Sequence, residues 1–155
     1  MRSLLFVAII SMGFIACNKE NSKGNNPPQI SFISLSPEEF KNGTQTDTIR
    51  INFEFSDKDG DVGSTGEINE APNVIIRQTY DSSSGEAKLP IIPPGFQDPE
   101  NGIKGTASIA IPAIFYTLDS THLQTGDTFH FEIQIKDKAG NLSNSITTSD
   151  VYIKP

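Results

Sequence analysis

An all-β, antiparallel two-sheet sandwich of about seven strands is the fold the sequence predicts for residues 29–155, and three observations predict it. Hydrophobic residues recur with period two in the two longest apolar runs. Ile49, Ile51, Phe53 and Phe55 alternate with Thr48, Arg50, Asn52 and Glu54, and Phe129, Phe131, Ile133 and Ile135 alternate with His130, Glu132, Gln134 and Lys136. Clusters of Gly, Pro, Asn and Asp separate these and shorter runs. No stretch carries a convincing amphipathic helical pattern, and only Ala113 to Leu118 has the look of a helical turn.

Taken in chain order, the first element is not part of that fold. Met1-Arg2-Ser3 precedes an apolar run from Leu4 to Ala16, too short for the ~20 residues a membrane-spanning helix needs, so residues 1–16 read as a removable secretory signal. Cys17 is the only cysteine, which excludes an intrachain disulfide and any CxxC motif. Residues 17–28 offer no apolar side chain to a core after Cys17 and close in Pro27-Pro28, a flexible tether with a stiffer end.

The strands follow: Ile30 to Leu35, Thr48 to Phe55, Val74 to Tyr80, Leu89 to Ile92, Thr106 to Ile111, Phe129 to Lys136 and Ile146 to Ile153, within one domain, 29–155. If each strand runs opposite to the one before, the loops Ser56 to Pro72, Pro93 to Gly102 and Asp137 to Asn144 share one pole with the tether. Tyr80 to Lys88 is a hairpin loop at the other pole. The second and sixth strands end alike, Phe53-Glu54-Phe55-Ser56-Asp57-Lys58 against Ile133-Gln134-Ile135-Lys136-Asp137-Lys138, without any further repeat.

The formal charge is −7, and removing Arg2 with the signal makes it −8, which argues against nucleic acid or an anionic lipid surface as partner. Phe14-Ile15-Ala16-Cys17 resembles the lipobox of bacterial lipoproteins, with Phe14 where leucine is usual. The resemblance implies a diacylglycerol and acyl lipid on Cys17 that anchors the chain to the outer membrane, on its periplasmic face or at the cell surface. Lys19-Glu20 is similar to the charged signal that sends Bacteroidetes lipoproteins to the surface. Asn25-Asn26-Pro27-Pro28, Ser56-Asp57-Lys58-Asp59-Gly60-Asp61 and Asp137-Lys138-Ala139-Gly140-Asn141-Leu142-Ser143 together resemble the immunoglobulin-like and cadherin-like modules of bacterial surface proteins.

The stretch FSDKDGDVGS holds the candidate metal ligands. Asp57, Asp59 and Asp61 stand at alternate positions in a glycine-loosened loop, where carboxylates can turn toward one Ca²⁺, a cation that takes several hard oxygens and would relieve their repulsion. Asp137, Asn141, Asp98 and Glu100 come from loops of the same pole, and Asp137 is the fourth candidate ligand. The stretch is not an EF-hand: Gly60 falls at position four rather than six, and Ile68 occupies position twelve in place of glutamate. It resembles the acidic loop after the second strand of cadherin-type domains, which implies ligation by Asp57 and Asp59 with Asn25 or Asn26. The alternative is an acidic turn in which Asp and Gly serve local hydrogen bonding and Lys58 offsets charge.

Catalysis is not expected. The two histidines, His122 and His130, form no HxH or HExxH pattern, no GxSxG is present, and Glu38-Glu39 reads as solvated surface. The expected role is a non-catalytic binding or scaffold module of the bacterial envelope with a protein or glycan partner. A glycan-binding accessory lipoprotein is the alternative, requiring an exposed aromatic platform from Tyr80, Phe96 or Tyr116 in a chain without tryptophan. A hydrolase using loop carboxylates such as Asp98 and Glu100 ranks after it.

Overall fold

The computed structural model describes residues 26–96 and 101–155. The expected signal, Cys17, most of the tether, Asn25, Asp98 and Glu100 lie outside the described residues. No helix among the described residues is long and apolar enough to cross a membrane.

The chain is all-β, with strands β1 Gln29–Ser36, β2 Glu39–Lys41, β3 Thr48–Asp57, β4 Val74–Gln78, β5 Ser84–Ala87, β6 Ile103–Pro112, β7 Asp127–Phe129, β8 Phe131–Ile135, β9 Ile146–Thr147 and β10 Val151–Lys154. They pair in three sheets, β1-β3-β6, β5-β4-β8-β9 and β2-β10-β7. All pairs are antiparallel except β2 with β10. The chain therefore changes sheets between β1 and β2.

The second and third sheets are parts of one chain path. Only His130 separates β7 from β8, and the gap is bridged by Thr79: its Oγ1 accepts from the His130 N–H at 3.1 Å, and its own N–H donates to the His130 carbonyl at 3.1 Å. Thr148 does the same between β9 and β10, exchanging bonds of 3.1 and 2.9 Å with Phe131.

Alternation gives every sheet one apolar face, and these faces meet in a single core. On β3, Ile49, Ile51 and Phe53 are completely buried, as are Phe131, Ile133 and Ile135 on β8 and Val151 and Ile153 on β10. The same cluster takes in Ile30 and Leu35 from β1, Val74 and Ile76 from β4, and Val62, Leu89, Tyr116 and Leu118 from loops. Several sheets around one cluster are consistent with a β-sandwich. Each buried Ile or Phe stabilises the fold by about 1.5–3 kcal/mol. Ile30 and Leu35, an odd number of residues apart, both face inward because the β1 register shifts between Phe32 and Ser34, turning Ile33 out to solvent.

Several expectations are corrected: the strands expected at Phe129 to Lys136 and Ile146 to Ile153 are each split between two sheets, as β7 and β8 and as β9 and β10. Leu89 to Ile92 is not a strand: Pro90 and Pro93 lack N–H groups, and only Ile91 forms an isolated bridge, to Ser64. The segment expected as a hairpin loop instead contains β5, an edge strand whose solvated face needs no apolar alternation. β2, three residues long, reads as loop because Phe40 alone carries its burial. The turn expected at Ala113 to Leu118 is a short 3-10 turn over Ala113–Phe115.

Candidate functional site

Two strand ends that read alike in sequence build the acidic pole, each placing a buried carboxyl that accepts N–H groups from the turn following it. Asp57 closes β3 and is only 3% exposed; its Oδ2 accepts from the N–H groups of Asp61 at 2.8 Å and Val62 at 3.1 Å, and its Oδ1 from Asp59 at 3.3 Å. The backbone returns over the carboxylate through Gly60, whose φ of 71° is open to glycine without strain, and Val62 pins the turn into the core. Asp137, just past β8 and 4% exposed, accepts from the N–H and Nδ2 of Asn141 at 2.7 and 2.8 Å. Gly140 completes that turn at φ 94°.

The two turns touch. The N–H of Lys138 donates to the carbonyl of Asp61 at 3.2 Å, bringing the Asp61 carboxyl beside Asp57 and Asp137. Its Oδ1 is out of solvent with no hydrogen-bond partner. Burial, then a hydrogen bond to Asp57 and the charges of Asp137 and Asp57, push the Asp61 carboxyl up to about 6, against a backbone contact from Ala139.

Asp59 turns the other way, toward the incoming chain. Its Oδ2 accepts from the N–H of Asn26 at 2.9 Å and its Oδ1 from the Asn26 side chain at 2.7 Å. Asn144 makes a second tie: its Oδ1 accepts from the Ile30 N–H at 2.8 Å, and its Nδ2 donates to the Ile30 carbonyl at 2.9 Å. Asn144 was not singled out in the sequence; an amide following a Gly-Asn turn was the only signal it offered. A cavity of roughly 510 Å³ opens beside this pole between Asn26, Asp57, Lys58, Asn101 and Lys104, and Asp61 is not among its lining residues.

The structure thus brings Asp57, Asp61 and Asp137 together, with Asp59 at the tether. Among the described residues, no group of three or more His, Cys, Asp or Glu side chains is set around a common metal position. The reason is local: the oxygens of Asp57 and Asp137 already receive N–H donors.

The remaining candidates disperse. His122 contacts Asp119 at 2.9 Å and His130 contacts Asp150 at 3.3 Å, each histidine with its own carboxylate. Asp119 is held down at about 2 by hydrogen bonds, first from Thr121 and then from His122. Glu39 pairs with Lys154 at 2.8 Å. The aromatic platform does not assemble: Tyr116 is buried and stacks on Phe129 with centroids 4.6 Å apart, Tyr80 packs edge-on against both, and Phe96 alone of the three is fully at the surface.

No family model matches the chain, and neither the curated proteins nor the solved structures contain a match to it.

Proposed function

We propose that the chain is an exported, lipid-anchored, non-catalytic binding or scaffold module of the bacterial envelope, an immunoglobulin-like sandwich whose anchor-side pole is stiffened by Ca²⁺. The observation that carries the cation part of this reading is the unpartnered Asp61 Oδ1, held out of solvent beside Asp57 and Asp137 at the pole where Asn26 is bound to Asp59; the anchor rests on the Phe14-Ile15-Ala16-Cys17 stretch. Three crowded carboxylates with one buried oxygen lacking a donor favour a hard cation, which removes both their repulsion and the desolvation penalty. Asp61 would supply the first oxygen, and Asp57 and Asp137 would join it only by giving up N–H donors they now accept, while Asp59 is bonded to Asn26. The consequence is mechanical: a lipid on Cys17 would hold a domain whose first residues do not swing freely.

The strand grouping supports the immunoglobulin-like part. β1, β3 and β6 correspond to strands A, B and E, and β4, β7 with β8, and β10 to strands C, F and G. The fold by itself assigns no activity.

Two measurements test the reading. Expressed in a bacterium that processes lipoproteins, the chain should sediment with membranes, and Cys17→Ser should release it; identical distribution of the two would remove the anchor. Titration calorimetry of Asn18–Pro155 with CaCl₂ should show one site that Asp61→Asn abolishes. Absence of binding heat at millimolar calcium would reduce the pole to an acidic turn.

A further inference from the structure

In a four-stranded A-B-E-D sheet the edge of the third strand is covered; among the described residues here it is not, because β6 pairs with β3 and with no other described strand. Which of its backbone groups are free follows from the ladder. The Ala113 N–H donates to the Asp47 carbonyl at 3.0 Å, and this pair continues the register in which Thr48 faces Pro112. Bonded and unbonded pairs alternate in an antiparallel ladder, so the odd-numbered residues of β6 bond to β3. Lys104, Thr106, Ser108 and Ala110 therefore turn their N–H and C=O groups outward, and among the described residues nothing pairs with them.

This edge lacks the usual protection. Lys104 and Pro112 stand at its ends, but from Gly105 to Ile111 there is no charge, no proline and no bulge. The inward row of Ile103, Ala107, Ile109 and Ile111 packs on the core yet remains only half-buried. Between β5 and β6 an open seam follows the strand, two cavities of roughly 710 and 370 Å³ that share Ala87, Ile109 and Ala110. Ile91, Phe96 and Phe115, 61%, 71% and 72% exposed, border it. An apolar slot as long as a ten-residue strand, beside a row of free amides, is shaped for another strand.

We propose that the occupant is β6 of a second copy, paired antiparallel about a two-fold axis, so that the two β1-β3-β6 sheets become continuous. The strand is self-complementary. With Ala107 on the axis, Lys104 faces the partner's Ala110 and Thr106 faces the partner's Ser108, which uses every outward N–H and C=O in about eight hydrogen bonds. On the inward row Gly105 meets the partner's Ile109, a small residue against a large one, and Ile103 meets the partner's Ile111 across the seam. No charge is directly opposed to a like charge. Moving the axis to Ser108 would set Lys104 against the partner's Pro112, which has no N–H to give. The interface is isologous and closes on itself, the usual form of a homodimer. It lies along the side of the sandwich and does not depend on calcium or on the lipid.

Sedimentation velocity of Asn18–Pro155, which keeps every described residue, tests this from micromolar to submillimolar concentration. A reversible monomer–dimer equilibrium is expected. Thr106→Lys with Ser108→Lys sets lysine against lysine on both sides of the axis and should weaken association at least ~10-fold. Both side chains point to solvent, so its thermal midpoint should stay near that of the parent. Ser108→Pro removes an outward N–H without touching a β3 bond and should act in the same direction. A chain that stays monomeric at all concentrations, or a dimer indifferent to both variants, overturns the proposal.

Discussion

Asp57 does more for the pole than its charge suggests. Its buried carboxylate receives three backbone N–H groups, and charge-assisted bonds of this kind are worth roughly 1.5–3 kcal/mol each when a buried donor would otherwise be stranded. Asp57→Ala should therefore lower unfolding stability by about 3 kcal/mol, read from the urea midpoint at unchanged slope; a loss below ~1 kcal/mol would mean water replaces the carboxylate. Asp61 acts in the opposite sense. Its folded-state value of about 6 lies above the ~3.9 of an unfolded aspartate, so the folded state holds the proton more tightly. The stabilisation is complete below the unfolded value and is lost as pH rises through about 6. In chelator, the unfolding midpoint of the parent should fall between pH 4 and 7 relative to Asp61→Asn; parallel curves would contradict that environment for Asp61. Asp57 and Asp137 were legible as acidic strand ends, because each follows an alternating apolar run and leads into a Gly-containing turn whose N–H groups its carboxyl accepts. The outcome for Asp59 was not legible: its partner Asn26 lies 33 residues away, and only the fold brings them together.

At the scale of elements, what alternated strongly was readable and what did not was missed. β3 and β8 carry complete inward rows, so period two specifies them. β5 exposes Ser84, Gly85 and Glu86 and is a strand only because β4 offers it an edge, a non-local fact that the segment's own residues do not encode. Leu89 to Ile92 erred the other way: Leu89 fills core space from a loop while Ile91 stays exposed, and Pro90 and Pro93 deny the segment a ladder. Burial sets the expected effects of mutation. Phe53→Ala, at a completely buried central position, should cost about 3–5 kcal/mol, whereas Ile33→Ala, turned out at the β1 bulge, should stay within ~0.5 kcal/mol. Denaturant midpoints of the pair check this, and comparable losses would mean that Ile33 contacts the core.

Taken as a whole, the described residues form a sandwich-like body with an acidic pole at one end and, among them, an uncovered strand edge at β6 along one side. The sequence has a formal charge of −7, which does not favour an anionic surface, so the proposed lipid on Cys17 would act without electrostatic help. Ties from Asn26 to Asp59 and from Asn144 to Ile30 would transmit that attachment to the core. A cation in the pole would stiffen the same joint.

The most direct test is thermal unfolding of Asn18–Pro155 at pH 7 in EDTA and in millimolar CaCl₂, with Asp61→Asn measured beside it. A ligand that binds only the folded state adds about 2.7 kcal/mol at a hundredfold excess over its dissociation constant, enough to raise the midpoint of a domain this size by several degrees. The expected result is a calcium-dependent rise in the parent that is absent in Asp61→Asn. An unchanged midpoint in calcium, or an equal rise in both proteins, would contradict a cation held by the acidic pole.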